Sequence, residues 1–446
     1  MKLSKFLLRY FPPGIALEYV SDGILEKKMI DLFHLTPSTK LEELVQDIMK
    51  QQPIVTERVK SQLLASLKKL QKKLIEEASR KYILHKSMHH VLPVTNVVFS
   101  KEGNRCLTGS FDRTCKMWDV DSGELYLTLD GHNNVVYDVS FNLPYSDRVL
   151  TASFDKTACV WNSDTGERLL TMWGHEGELV VIKYDNSRQH VATGSMDQTA
   201  RVFDINTGLE LWMLDGHKNA IIRLEYSNDG RQILTGSFDS KVFLWDVNSK
   251  RIITKFIGHK KPITNCKFNF DCSVVATSSL DGTVKLYDLK TTKCRSTIYH
   301  GEDVLDMSFD STGKKLVTCG TDGICKVWNV ECNISPTATL LGHEAEISQA
   351  CFSPGGVMVL TGSNDGTARL WNSVTGDCCQ VLTGHTDEIF SCGFTYDGNT
   401  IITASKDNTC QLWKARSGQK EQEEGVNNKT NVTTSLDFEC TGTMSV

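Results

Sequence analysis

The stretch GHNNVVYDVSFNLPYSDRVLTASFDKTACVWN, residues 131–162, decides how the rest of the chain is read. It opens on Gly131-His132, alternates apolar and polar side chains from Val135 to Phe141, and reaches a second apolar run at Arg148 to Ser153. A turn at Phe154-Asp155 separates that run from a third, Thr157 to Trp161, and Arg168 to Trp173 supplies a fourth. Alternation with a period of two marks half-buried strands, so one unit of this sequence holds four of them.

The unit recurs. Histidines equivalent to His132 stand at His90, His175, His217, His259, His300, His343 and His385, spaced 41 to 43 residues apart. An Asp follows each by 22 residues, or 23 in the second copy: Asp112, Asp155, Asp197, Asp239, Asp281, Asp322, Asp365 and Asp407. Six residues beyond each Asp lies an aromatic: Trp118, Trp161, Phe203, Trp245, Tyr287, Trp328, Trp371 and Trp413. Eight copies thus cover residues 90 to 413, and a fixed period of this kind changes the meaning of every residue inside it.

Four strands per unit, a Gly-His start and a Trp-Asp signature resemble the WD-repeat family, whose members fold as β-propellers. The resemblance places the His in the loop before the innermost strand and the Asp in the tight turn between the second and third strands, both on one face. It implies that a Ser two residues before the Asp closes a hydrogen-bonded set with the indole. Five copies carry the full set: His90, Ser110, Asp112 and Trp118; His132, Ser153, Asp155 and Trp161; His217, Ser237, Asp239 and Trp245; His343, Ser363, Asp365 and Trp371; His385, Ser405, Asp407 and Trp413. The third and fifth copies substitute Phe203 and Tyr287, and the sixth has Gly320 in place of Ser, so those sets are expected to lose a link.

Ser, His and Asp are also the ingredients of a hydrolase triad, but one catalytic site needs one constellation in a cleft. Eight evenly spaced copies describe a task done once per repeat, namely holding a buried His and Asp with every polar atom paired. An enzyme working in a propeller's central channel is the competing reading, and the repeats offer no unique nucleophile or metal-ligand cluster for it. The chain is therefore read as a non-enzyme without cofactor or metal.

The last copy ends at Trp413-Lys414 with no fourth strand. Tyr82 to Met88 aligns with the fourth strand of the other copies and is expected to pair into the eighth blade, closing the ring and removing two exposed edges. The expected fold is mainly β: a single eight-bladed WD-repeat β-propeller at 81–417, with 81–88 as the closing strand, a small N-terminal α+β module at 1–80, and a disordered tail at 418–446. In the module, strands are expected at Lys5–Tyr10, Ile15–Val20 and Ile24–Phe33. A helix then starts after Pro37, with Thr39 and Glu42 spaced as a capping box. A second helix is expected from about Thr56 to Ser79, with Val59, Leu63, Leu67, Leu70 and Leu74 on one stripe.

Charge is polarised along the chain. Residues 1–90 carry 16 Lys and Arg against 10 Asp and Glu, and the remainder carries 33 against 44. Lys60, Lys68, Lys72 and Lys73 on the second helix read either as a solvated face or as a platform for an acidic partner. The residue before each repeat Asp points out of its turn, giving Phe111, Phe154, Met196, Phe238 and Leu280, then the polar Thr321, Asn364 and Lys406. Large apolar side chains in such turns act as contact anchors or pack against neighbouring turns. Fifteen cysteines without regular pairing are read as reduced thiols, and the absence of a long apolar run or signal peptide is read as a soluble cytoplasmic chain. Asn428 and Asn431 open two glycosylation-type triplets, taken as chance matches.

The run Phe6 to Tyr19, with Ile30-Asp31-Leu32 and Leu35 to Thr39, looks like the family of dynein assembly factors with WD repeats, as does Asn134 to Tyr137 followed by Phe141 to Tyr145. That resemblance implies an adaptor coupling preassembled outer-arm axonemal dynein to the intraflagellar transport train, through a subunit of the train's B complex. It also implies residence in cytoplasm, basal body, axoneme and cilium or flagellum. Expected partners are proteins, with no nucleic acid and no membrane, and the chain is expected to be a monomer. A general WD-repeat scaffold, such as a ubiquitin-ligase receptor or a microtubule-associated subunit, is the alternative.

Overall fold

The computed structural model describes residues 2–416, apart from 22–23, 34, 53–54, 186–188 and 332–334. The tail read as disordered, with its two glycosylation-type triplets, lies outside the described residues. Among those residues stand eight four-stranded antiparallel sheets and one three-stranded sheet.

Each four-stranded sheet is one blade. In blade two the strands are Val136–Phe141, Arg148–Ser153, Ala158–Asn162 and Arg168–Met172, paired in sequence order. The second strand is buried almost throughout, from Val149 to Ser153, because a neighbouring blade covers it on either side. The fourth strand, at the rim, keeps only Met172 buried. Close packing between blades demands small residues there: a Cβ at Gly194 would stand 2.6 Å from Val181 Cγ1 of its own blade and 3.1 Å from Ile221 Cγ2 of the next.

Eight apolar clusters fill the eight joints between blades. The joint of blades two and three, for example, packs Leu150, Val160 and Met172 against Ile182, Val191 and Phe203. The ring closes at the joint of blades eight and one, where Met88, Ile402 and Leu412 meet Val94, Cys106 and Trp118. Strand Tyr82–His89 pairs antiparallel with Thr409–Ala415, with His89 opposite Thr409 and Tyr82 opposite Ala415. Blade eight thus takes its outer strand from upstream of blade one, and the described cysteines are free thiols.

The N-terminal module is a meander of Lys2–Arg9, Gly14–Ser21 and Ile24–Asp31 followed by helices α1 (Leu41–Gln51) and α2 (Lys60–Ala78). Leu63, Leu67, Leu70 and Leu74 of α2 are buried with Ile15, Leu17, Val45 and Ile48, each full burial contributing about 1.5–3 kcal/mol. No helix among the described residues is long and apolar enough to cross a membrane.

The capping box does not form. Lys40 is the N-cap of α1 and makes no side-chain cap bond, while Thr39 Oγ1 accepts the Thr36 backbone N–H at 2.8 Å. The Thr39 hydroxyl is committed to the turn before the helix and Gln71 of α2 donates to its carbonyl at 2.8 Å, so the N-cap falls one residue later, at Lys40.

The α2 stripe continues one step past Leu74 to the buried Glu77, whose Oε1 accepts the Gly355 N–H of blade seven at 3.0 Å. Val357 of the same loop joins the module core, Arg80 donates to the Gly398 carbonyl at 2.6 Å, and the Tyr396 hydroxyl donates to the Phe11 carbonyl at 3.1 Å. These loops connect first and second strands, so the module sits on the propeller face opposite the His/Asp turns.

Candidate protein-docking surfaces

The His/Asp sets are bridged by threonine. In blade two, Trp161 donates its indole N–H to Thr151 Oγ1 at 2.9 Å, Thr151 lies 2.7 Å from His132 Nε2, and His132 Nδ1 lies 2.8 Å from Asp155 Oδ2. The Thr151 hydroxyl thus joins indole to imidazole, and the imidazole joins the hydroxyl to the carboxylate. Thr108, Thr235, Thr361 and Thr403 do the same in blades one, four, seven and eight.

The serines expected to meet the indole do not. Ser110, Ser153, Ser237, Ser363 and Ser405 each accept the backbone N–H of their Asp at 3.1 Å. They donate instead to carbonyls in the loop after the His. Strand register is the cause: Trp161 pairs with Val149, so Thr151 is its diagonal neighbour on the same face, and Ser153 lies two residues further along.

The degenerate sets differ from one another. Blade three keeps His175 to Thr193 at 2.9 Å and to Asp197 at 2.7 Å, with Phe203 supplying no donor. In blade five Tyr287 stands in place of the indole, and His259 keeps Thr277 at 2.9 Å and Asp281 at 3.0 Å. Blade six retains the indole bond, Trp328 to Thr318 at 2.9 Å, and loses closeness between His and Asp instead. The His300 ring is turned over, Nδ1 facing Thr318 at 2.9 Å and Nε2 standing 3.6 Å from Asp322 Oδ1. A Cβ at Gly320 would lie 2.8 Å from that Nε2, so the ring occupies the space a Ser would need.

Burial opposes charge on Asp112, Asp155 and Asp197, yet hydrogen bonds from His90, His132 and His175 and from the neighbouring Thr hydroxyls outweigh it and hold the carboxyls far below the usual range. Asp365 is lowered to about 2 in the same way. Burial keeps His90, His259, His300, His343 and His385 below the ordinary imidazole value. Each Asp also braces its turn: Asp112 Oδ1 accepts from Thr114 N–H and hydroxyl at 3.0 and 2.6 Å, holding Arg113 at φ 70°. The sets therefore act as fasteners between the loop before one strand and the turn after the next.

Those turns present the apolar ring. Phe111, Met196 and Phe238 are 38–40% exposed, whereas Phe154 and Leu280 are half-buried. Phe154 stacks on Tyr137 with centroids 5.1 Å apart and packs on the joint of blades three and four, which makes it part of the wall. Inside the ring, a channel cavity of about 640 Å³ is lined by the first strand of every blade. Asn96 donates to Asp138 and Asn265 to Asp306 there, and the carboxylates accept Ile182 and Ala350 N–H groups at 2.9 and 3.2 Å, tying neighbouring blades.

On the opposite face a groove of about 520 Å³ runs between α2 and blade eight, lined by Tyr10, Phe11, Lys69, Lys72, Lys73, Glu76, Tyr396 and Asp397. It gathers Lys72 and Lys73 from the basic set and adds Lys69. Lys60 instead pairs with Glu57 at 3.3 Å, and Lys68 lies outside the groove. Neither Lys69 nor Tyr396 was singled out in the sequence, since Tyr396 belongs to the eighth repeat, more than 300 residues away.

Over residues 93–372 the chain matches the family described as IFT122 first beta-propeller, and over 376–414 it matches the WD domain, G-beta repeat. A Xenopus laevis protein named dynein assembly factor with WD repeat domains 1 is 49% identical over 148 residues, 33% of this chain and 36% of that protein. The Homo sapiens protein of the same name is 48% identical over 149 residues, with the same coverage. The chain spans about a third of the length of these curated relatives. A computationally designed protein, Ika8, matches with a TM-score of 0.66 at 28% identity, over 73% of this chain and 97% of its own.

Proposed function

The chain belongs to the WD-repeat propeller family described as IFT122 first beta-propeller, and on that premise we propose that it is a non-enzymatic adaptor serving axonemal dynein. It couples preassembled outer-arm dynein to the intraflagellar transport machinery for ciliary import. The relatives named dynein assembly factor support the cargo assignment.

The observation that carries the adaptor reading is the separation of two unlike surfaces on opposite faces of the propeller. The basic groove against α2 faces one way, and the apolar turn ring with the channel mouth faces the other. A B-complex subunit of the train occupies the groove, and the dynein cargo engages the propeller. The His/Asp chemistry is spent within the blades, which supports docking over catalysis: the hydroxyl that meets the imidazole, Thr151 in blade two, is fully buried and also holds the indole.

Affinity purification of the full chain from ciliated cells with mass spectrometry tests this reading. Outer-arm dynein heavy and intermediate chains recovered together with B-complex proteins support it. Recovery of ubiquitin-ligase or microtubule-associated subunits without dynein overturns it.

A further inference from the structure

The groove beside α2 opens, past Lys73, Glu76 and Asp397, into a second cavity of about 820 Å³ that reaches Arg416. Strand Thr409–Ala415 leaves blade eight there, and the Arg416 N–H donates to the Lys81 carbonyl at 2.8 Å. That bond fixes the point from which residues 417–446 continue, so the C-terminal segment starts in the same trough as the α2 lysines.

Charge along the trough is uneven. Its blade-one end holds Glu102 and Asp121, and Lys414 there is engaged by Asp121 at 3.0 Å. On the α2 arm, Lys72 pairs with Glu76 at 3.7 Å, and Arg80 donates to the Asp397 and Gly398 carbonyls. The Asp397 carboxylate accepts from the Thr395 hydroxyl at 2.7 Å and the Asn399 N–H at 3.0 Å, and the Glu77 carboxylate is buried beneath the helix on the Gly355 N–H. Among the described residues Lys69, Lys73 and Arg416 enter no ion pair. Across both cavities Lys69, Lys72, Lys73, Arg80, Lys414 and Arg416 stand against Glu76, Glu102, Asp121 and Asp397. A positive excess therefore remains on the α2 arm after the carboxylates are counted.

The first charged run beyond Arg416 is Lys420-Glu421-Gln422-Glu423-Glu424, three carboxylates against one ammonium. The five residues from Arg416 to Glu421 reach about 17 Å when extended. Lys73 shares the Arg416 cavity, and Lys69 lies about 6 Å of helix rise further on. Glu421 to Glu424 can therefore span both lysines, while Glu102 and Asp121 repel the run from the other arm. Exposed ion pairs are individually weak. A segment tethered this closely compensates with an effective concentration of about millimolar.

We propose that Glu421 to Glu424 of the chain's own C-terminal segment dock along Lys69 and Lys73 of α2 and close the groove to other occupants. The contact itself needs no outside partner. Its consequence, competition with the protein that enters the groove, rests on the adaptor reading.

Carbodiimide cross-linking of the purified full chain, followed by digestion and mass spectrometry of the monomer band, tests the contact. Amide links from Glu421, Glu423 or Glu424 to Lys69, Lys72 or Lys73 are expected. Links confined to lysines outside α2, or none from this run, overturn the inference. A second measurement uses a fluorescein-labelled peptide, SGQKEQEEGV, and fluorescence anisotropy. The full chain carrying Glu421→Gln, Glu423→Gln and Glu424→Gln should bind it saturably, about tenfold more tightly than the parent, whose own run holds the site. Adding Lys69→Gln with Lys73→Gln, or raising salt, should remove that gain. Equal affinity for the parent and the neutralised chain, or for the chain with and without the lysine changes, rejects the assignment. Purification of dynein and B-complex proteins is read separately, so a missing cross-link leaves the adaptor reading standing, and a failed purification leaves the cross-link intact.

Discussion

Trp161 donates its indole N–H to the hydroxyl of Thr151, ten residues earlier and 2.9 Å away. That bond makes the threonine, and not Ser153, the hinge of the buried network, because Thr151 also holds His132. Thr151→Val keeps the shape and strands the indole N–H and an imidazole nitrogen without partners. A loss of about 2–4 kcal/mol is expected, with a much smaller loss for Ser153→Ala, whose backbone donor lies nearer solvent. Urea unfolding of both variants reads the difference, and equal midpoints would contradict the assignment.

Strand Tyr82–His89 belongs to blade eight, not to the module that precedes it. Removing residues 1–80 is expected to leave a monodisperse ring. Removing residues 1–89 strips Met88 from the joint of blades eight and one and bares the Thr409–Ala415 edge, so aggregation is expected. Light scattering of the two truncations during heating distinguishes them.

Burial in the channel raises the carboxyl of Glu225 to about 7, against the opposing pull of Lys267 and the Phe268 N–H. A raised carboxyl binds its proton more tightly when folded, so its contribution to stability is present below about pH 4.5 and is lost as pH rises through 7. Glu225→Gln, which can still accept from Phe268, should melt about 2–4 °C above the parent at pH 8 and show no such gain at pH 5. Melting curves at the two pH values check the sign.

The groove on α2 is selective among lysines that the sequence treats alike. Reversing Lys69, Lys72 and Lys73 to Glu together is expected to weaken binding of purified B complex at least tenfold while leaving the melting temperature unchanged. Lys68→Glu should have little effect on binding, because that side chain lies outside the groove. Surface charge changes of this kind alter stability little, so affinity is the informative readout.

Much of this protein is legible as text because repetition multiplies every signal. Eight spacings agreed on one unit, and alternation within Val135 to Phe141 gave its strands. The sequence does not distinguish the hydroxyl of the buried set, because Thr151 and Ser153 share a strand face and only pairing register says which of them an indole can reach. The capping box at Thr39 failed for a related reason. Its hydroxyl had a nearer donor in Thr36 and its carbonyl a partner in Gln71, neither visible from the spacing.

The chain by itself determined the number of units, their four-strand content and the positions of the His and Asp fasteners, since these follow from local period and turn chemistry. Tertiary structure alone decided which side chains share a surface. Lys72 and Tyr396 line one groove because the module docks on the ring, and Phe111 and Arg223 line one channel because the ring closes, though each pair is far apart in the chain. A period fixes neighbours along the chain, but a pocket is made by neighbours in space.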